Sequence, residues 1–208
     1  MLTFFYSPRA CSFVPHVVLE EIGVPYHPVR VTLSEGEHLK PEYLAINPRA
    51  RVPVLKTDRG VLTECGAILT YLARTHPQAG LLPTDPWAEA QALSWMSFLA
   101  SSVHIAFAGV LRPARFATDE AMHPHVKETG QANVLKLFAD IEGRLTAGSW
   151  ALGDYSVVDP YLSVFMLWAK RLDIPVADFP NYAALARRVW DRPAARRAAA
   201  QEGFEFPA

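Results

Sequence analysis

The hydrophobic period of this chain switches repeatedly over its first seventy-five residues and is helical throughout beyond a linker, and that contrast limits it to an α/β unit followed by an all-helical one. Leu2 to Tyr6 reads as a strand, Ser12 to Ile22 has helical spacing and stops at Gly23-Val24-Pro25, and Tyr26 to Leu33 reads as a second strand. Ser34 to Lys40 is polar and looks like a loop, and Pro41 to Ile46 is a short helical piece that runs into the turn signal Asn47-Pro48. Val52 to Lys56 and Gly60 to Thr63 then pattern as a hairpin before helical spacing returns from Glu64 to Thr75. The order β-α-β-α-β-β-α predicts a small α/β domain with a mixed sheet. From His76 to Pro86 the chain carries Pro77, Gly80, Pro83 and Pro86, a linker composition. Beyond it nothing reads as a strand, and helices are expected over Trp87 to Phe116, Asp119 to Leu145, Ser156 to Leu172 and Tyr182 to Ala200. The expected division is therefore an α/β domain over 1–76, a linker over 77–86 and an all-α domain over 87–208.

Composition narrows the function classes. Twenty basic against twenty-one acidic residues leave a formal charge of -1, and no cationic stripe stands out, so nucleic-acid binding has no electrostatic support. The longest apolar stretches, such as Tyr161 to Ala169, are about half of a membrane span, so no transmembrane helix is expected. The N-terminus carries no cationic leader before a hydrophobic run, which makes cytoplasmic residence the default. With two cysteines, Cys11 and Cys65, and seven scattered histidines, neither a disulfide framework nor a standard zinc spacing is present, so no metal is expected.

Cys11 is the first residue with chemical promise. It follows a strand and the short loop Ser7-Pro8-Arg9-Ala10, and it precedes a helix, whose exposed amides and dipole favour a thiolate. Lowering a thiol from about 8.5 to about 6.5 requires roughly 2.7 kcal/mol, whereas a helix terminus supplies at most ~2 kcal/mol, so a second donor is needed. Val52-Pro53-Val54 puts a proline inside a strand pattern. The plain reading is an edge strand, or a strand that starts at Pro53; the sharper one is a cis bond that leaves the Val52 backbone free for a peptide-like ligand. Ser156-Val157-Val158-Asp159 reads as a capping box whose side chains and amides exchange bonds, with Pro160 tolerated in the first turn.

Taken together, five segments resemble the cytosolic glutathione transferases, and within them the bacterial beta class. They are Tyr6 to Ser12 with Pro15-His16, Ala45 to Leu55, Leu62 to Ile68 with Tyr71-Leu72, Phe98 to His104, and Gly153 to Tyr161. The resemblance implies a thioredoxin-like N-terminal domain with a cis-proline, an all-helical C-terminal domain and a homodimer. It also implies glutathione as co-substrate and conjugation of its thiolate to small hydrophobic electrophiles. By the same resemblance Glu64 pairs the γ-glutamyl ammonium, the Cys65 amide binds the adjoining carboxylate, and Val52 before Pro53 pairs the cysteinyl backbone. Cys11 would stand beside the glutathione sulfur.

His104 is the expected second donor. On a regular helix from Trp87, Ser97, Ser101, His104 and Ala108 share a small polar face, so Ser97 and Ser101 join the expected glutathione site. Without the resemblance His104 is a satisfied interfacial histidine; with it, His104 donates to the ligand sulfur and favours its thiolate. Phe107, Leu111, Arg112, Arg115 and Trp168 are the expected lining of the electrophile pocket. The chain departs from the beta-class pattern at Ser34-Glu35-Gly36, where a lysine for the glycyl carboxylate is usual, so His38, Lys40 or Arg51 would substitute. Ser97 and Ile105 make the site less polar than in relatives, and Cys65 stands where a small or hydroxylic residue is usual. With glutathione between them, Cys65 and Cys11 are expected to lie too far apart for an unstrained disulfide. Two other functions fit the same residues: reduction of disulfides or peroxides through a Cys11 mixed disulfide, and a non-catalytic ligand-binding module.

Overall fold

The computed structural model describes residues 1–207. Strands β1 (Leu2–Tyr6), β2 (Tyr26–Arg30), β3 (Val54–Thr57) and β4 (Gly60–Thr63) form one sheet in the order β2-β1-β3-β4. β2 runs parallel to β1, and β3 and β4 are antiparallel to their neighbours, as the mixed-sheet expectation required. Period-two alternation in β1 sends Phe4 and Tyr6 to one face and Phe5 to the other. Phe4 lies opposite Leu55 and Phe5 opposite Val54, so both faces of the sheet are buried. The first face carries α1 (Phe13–Ile22) and α3 (Cys65–Thr75); the second is covered by Tyr43 of α2 (Pro41–Leu44) with Val31 and Val52. α1 ends where Gly23 takes a left-handed φ of 72°, its amide returning to the Leu19 carbonyl.

β3 has a neighbour on each side, so it is not the edge strand that Pro53 suggested. Pro53 lies just before the strand, and the Val52–Pro53 bond is cis. The second strand is shorter than expected, because the chain turns into single 3-10 turns at Leu33–Glu35 and Glu37–Leu39.

The helical part consists of α4 (Pro86–Phe98), α5 (His104–Leu111), α6 (His123–Arg144), α7 (Val158–Arg171), α8 (Pro180–Trp190) and α9 (Pro193–Glu202). A π turn over Leu99–Val103 joins α4 to α5 without a break. The segment Pro86–Leu111 is therefore one run of 26 residues, with mean hydropathy 1.4, long and apolar enough to cross a membrane by length and composition. The uninterrupted apolar stretches of the sequence are shorter, and a run of this length was not anticipated from them. Here its Trp95, Met96, Leu99, Val103 and Phe107 lie in the core shared with α7, which makes it a core helix of the fold. Each such side chain contributes about 1.5–3 kcal/mol on burial. The single helix expected over Tyr182 to Ala200 is two, because Pro193 stands at the first position of α9 and its ring cannot continue α8.

The capping box at α7 forms in altered shape. The Asp159 carboxylate accepts from the Ser156 amide at 2.8 Å and from the Ala151 amide at 2.9 Å. The Ser156 hydroxyl accepts from the Val158 amide at 3.3 Å rather than from that of Asp159. Burial raises Asp159 to about 6 despite these donors.

Candidate functional site

The loop after β1 is fixed from within and from both halves of the chain. Ser12 Oγ accepts from the Ser7 amide at 3.0 Å and donates to the Ser7 carbonyl at 3.1 Å, tying the loop across its base. Arg9 has a φ of 61°. Its amide donates to Glu202 Oε2 at 2.8 Å, and its carbonyl accepts from Trp168 Nε1 at 2.8 Å. Glu202 Oε1 in turn meets His16 Nδ1 at 2.9 Å, both side chains fully buried, so α9 holds the loop and α1 together. Cys11 emerges from this loop, just before α1.

A second loop is built by Tyr43 and Asn47, which donate to the Arg51 carbonyl at 2.7 and 2.8 Å. That brings Val52 beside Cys11, whose thiol donates to the Val52 carbonyl at 3.6 Å. Across the gap Glu64 stands at the N-cap just before α3, with a φ of 71° although it is not glycine. Such a conformation costs about 1–3 kcal/mol and persists only where the surroundings impose it. An ordinary acid at a helix start has no need of it.

Two cavities meet at Cys11. The smaller, about 140 Å³, is lined by Val52, Pro53, Glu64, Cys65, Arg49 and Tyr161 among others. The larger, about 520 Å³, opens toward Leu111, Arg112, Trp168 and Arg171. Cys11, Arg51, Val52, His104 and Arg115 line both. Of the three residues expected to replace the missing lysine, Arg51 is at the site, and His38 and Lys40 line neither cavity.

Three other expectations are corrected. Ser97 is exposed and lines neither cavity, and Ser101 lines a separate groove with Ser102, His125 and Lys136. The π turn is the cause. The His104 amide bonds back to Leu99, five residues earlier, and the extra residue turns the serines away and brings Ala100 to the cleft with His104 and Ala108. Phe107 is fully buried, stacked on Phe165 at 5.7 Å and edge-on to Trp168 at 5.5 Å, so it supports the cleft wall from behind. Leu111, Arg112, Arg115 and Trp168 do line the larger cleft.

Cys65 also differs from expectation. It is the immediate neighbour of Cys11: its thiol donates to the Cys11 carbonyl at 3.5 Å and is within hydrogen-bonding reach of the Cys11 side chain as an alternative acceptor. That bond is the largest influence lowering the Cys11 thiol, ahead of burial, which raises it, and of Arg112, which lowers it. The same bond, with burial, pushes the Cys65 thiol well up, so of the two sulfurs Cys11 gives up its proton the more readily. Tyr161, in the same cavity lining, also interacts with the Cys65 side chain and lowers it. His104 takes no such part: burial, then Arg115, Arg51 and Arg112, lower it to about 4, so its imidazole is neutral at pH 7. It sits edge-on to Trp168 at 5.2 Å. Cys65→Ala is therefore expected to slow alkylation of Cys11 by iodoacetamide at pH 7 by roughly tenfold, the value of one charge-assisted hydrogen bond. An unchanged pH profile of alkylation would contradict this assignment.

Glu202, Arg30 and Arg171 were not singled out by the sequence, and Arg9, His16, Ala100 and Tyr161 fall within the family-like segments without having been given a role there. Glu202 and His16 are 186 positions apart, and no local pattern signals their contact.

The N-terminal domain pattern of the glutathione S-transferases matches residues 2–74. The chain is 30% identical over 205 residues to glutathione S-transferase GstA of Escherichia coli O157:H7, covering 97% of this chain and 98% of that protein. A glutathione transferase homologue from Sulfitobacter, solved with bound glutathione, superposes with a TM-score of 0.93 at 34% identity, over 98% of this chain and 99% of that one. The bacterial beta-class glutathione S-transferase of Sphingomonas chungbukensis gives a TM-score of 0.85 at 32% identity, over 97% and 98% of the two chains.

Proposed function

We propose that this chain, which belongs to the bacterial beta-class glutathione S-transferases, holds glutathione across the smaller cavity and transfers its sulfur to a small electrophile in the larger one. The observation that carries this reading is the junction of the two cavities at Cys11, Val52 and His104. A sulfur at that junction reaches both a peptide-binding backbone and an open cleft. Glu64 pairs the γ-glutamyl ammonium, and the Cys65 amide in the first turn of α3 takes the adjoining carboxylate. Val52 pairs the cysteinyl backbone, and Arg51 is the group available to the glycyl carboxylate.

The glutathione thiolate is stabilised in two ways. Neutral His104 donates an N–H, and Arg51, Arg112 and Arg115 supply positive potential in a partly dry cleft. The sulfur then forms a bond to the electrophilic carbon, the leaving group departs with its electron pair, and the thiol proton has already passed to solvent. Calorimetric titration with glutathione, run beside turnover of an activated aryl halide, tests this. Binding together with turnover is expected; absence of both would overturn it. By the family pattern the working unit is a homodimer, which light scattering reads as twice the chain mass.

The Cys11–Cys65 contact favours a second reading. The Cys11 thiolate attacks oxidised glutathione, forms a mixed disulfide with one half and releases the other as glutathione thiolate. Mass spectrometry after exposure to oxidised glutathione is expected to find one glutathione on Cys11.

A further inference from the structure

Six arginines line the larger cleft: Arg9, Arg30, Arg51, Arg112, Arg115 and Arg171. Among the described residues its lining contains no aspartate or glutamate. In a chain with twenty basic and twenty-one acidic residues, that is a local segregation of charge. None of the six has an ion-pair partner among the described residues; the recorded arginine pairs are made by Arg74, Arg144, Arg192, Arg196 and Arg197 elsewhere. The six come from separate parts of the chain, the loop after β1, the end of β2, the loop before Pro53, the turns after α5 and the end of α7.

We infer that the second substrate is an anionic electrophile, one bearing a carboxylate or a comparable anion on an apolar body. The inference rests on the proposed glutathione transfer and names the class of its second substrate. Glutathione alone does not account for the arginines: Arg30 lines the larger cleft together with Ser34, where the glycyl end is expected, but Arg9, Arg112 and Arg171 line that cleft and not the smaller cavity. The apolar body has Leu111, Trp168 and Leu172 to lie against. Arg112 and Arg115 act on His104, and Arg9, whose guanidinium lies over the Phe204 ring at 5.4 Å, acts on Arg171.

The groups in the cleft already repel one another. Burial and then Arg51 and Arg112 lower Arg115, and burial and then Arg9 lower Arg171. A bound anion relieves both. The carboxylates that feel this region lie outside its lining: Glu202 and Glu37 are in the field of Arg30, and Glu64 acts on Cys11 from the smaller cavity. A cleft of one sign also raises the local concentration of the opposite one, so association with such a substrate weakens with salt.

The test compares two glutathione derivatives with the full chain by calorimetry: S-(4-carboxybenzyl)glutathione and its neutral, near-isosteric S-(4-carbamoylbenzyl) counterpart, with glutathione itself as reference. The carboxylate is expected to bind roughly tenfold more tightly at low ionic strength, with the advantage shrinking as salt rises to about 0.5 M. In the double variant Arg112→Gln, Arg171→Gln the ratio of the two affinities is expected to fall toward one. Equal affinities in the unaltered protein, or a preference for the carbamoyl form, would overturn the inference while leaving glutathione transfer standing. No binding of glutathione itself would remove the proposed function, and this inference with it.

Discussion

Glu202→Ala is expected to destabilise the protein by about 3–5 kcal/mol, seen as a lower urea midpoint and a melting temperature reduced by about 10 °C. The carboxylate is buried and takes two donors, His16 Nδ1 at 2.9 Å and the Arg9 amide at 2.8 Å. Alanine leaves both without an acceptor, at roughly 1–3 kcal/mol each, and opens a cavity between α1 and α9. Burial already raises Glu202, so its charge is held at a cost that its partners offset. Glu202→Gln keeps one acceptor oxygen and fills the space, and a loss of about half that size is expected. The two variants separate packing from hydrogen bonding. A loss under about 1 kcal/mol in the alanine variant would show that the loop carrying Cys11 is held by Ser12 and Trp168 without α9.

Glu64→Gln is expected to weaken glutathione binding ten- to a hundredfold, the value of one charge-assisted hydrogen bond of about 1.5–3 kcal/mol. The argument joins geometry to chemistry. Glu64 lines the smaller cavity, makes no side-chain cap to its own helix and keeps a φ of 71°. A residue that served only the helix would adopt an extended cap conformation and bond the first-turn amides. Glutamine has the same length and backbone needs, so melting temperature is expected to change little while the dissociation constant rises. Unchanged affinity would remove Glu64 from the site.

The fold was legible where local rules act alone. β1 has the bounds its alternation indicated, Leu2–Tyr6, and Gly23 ends α1 through a left-handed cap that glycine makes at low cost. Errors arose where a local pattern was extrapolated through a break. Tyr182 to Ala200 keeps helical spacing across Arg192-Pro193, and only the proline marks the division. The helix face that joined Ser97 and Ser101 to His104 assumed 3.6 residues per turn; the π turn at Leu99–Val103 adds one residue and changes the partners.

The site was legible through short motifs and opaque through long-range electrostatics. Cys11, Val52, Glu64, Cys65 and His104 surround the two cavities as a set. The balance among them could not be read from the chain. A helix start supplies too little on its own to ionise Cys11, and the group that lowers its thiol most is the neighbouring Cys65, a contact between α3 and the loop after β1 that no local pattern signals. The three arginines that lower His104 are scattered from residue 51 to residue 115, and their convergence is a property of the folded cleft alone.

The most direct test is a crystal structure of the protein with glutathione. The expected complex has the γ-glutamyl group on Glu64 and the Cys65 amide, the cysteinyl backbone on Val52, and the sulfur within hydrogen-bonding reach of both Cys11 and His104. A sulfur turned away from Cys11, or a γ-glutamyl group seated among the arginines of the larger cleft, would contradict it.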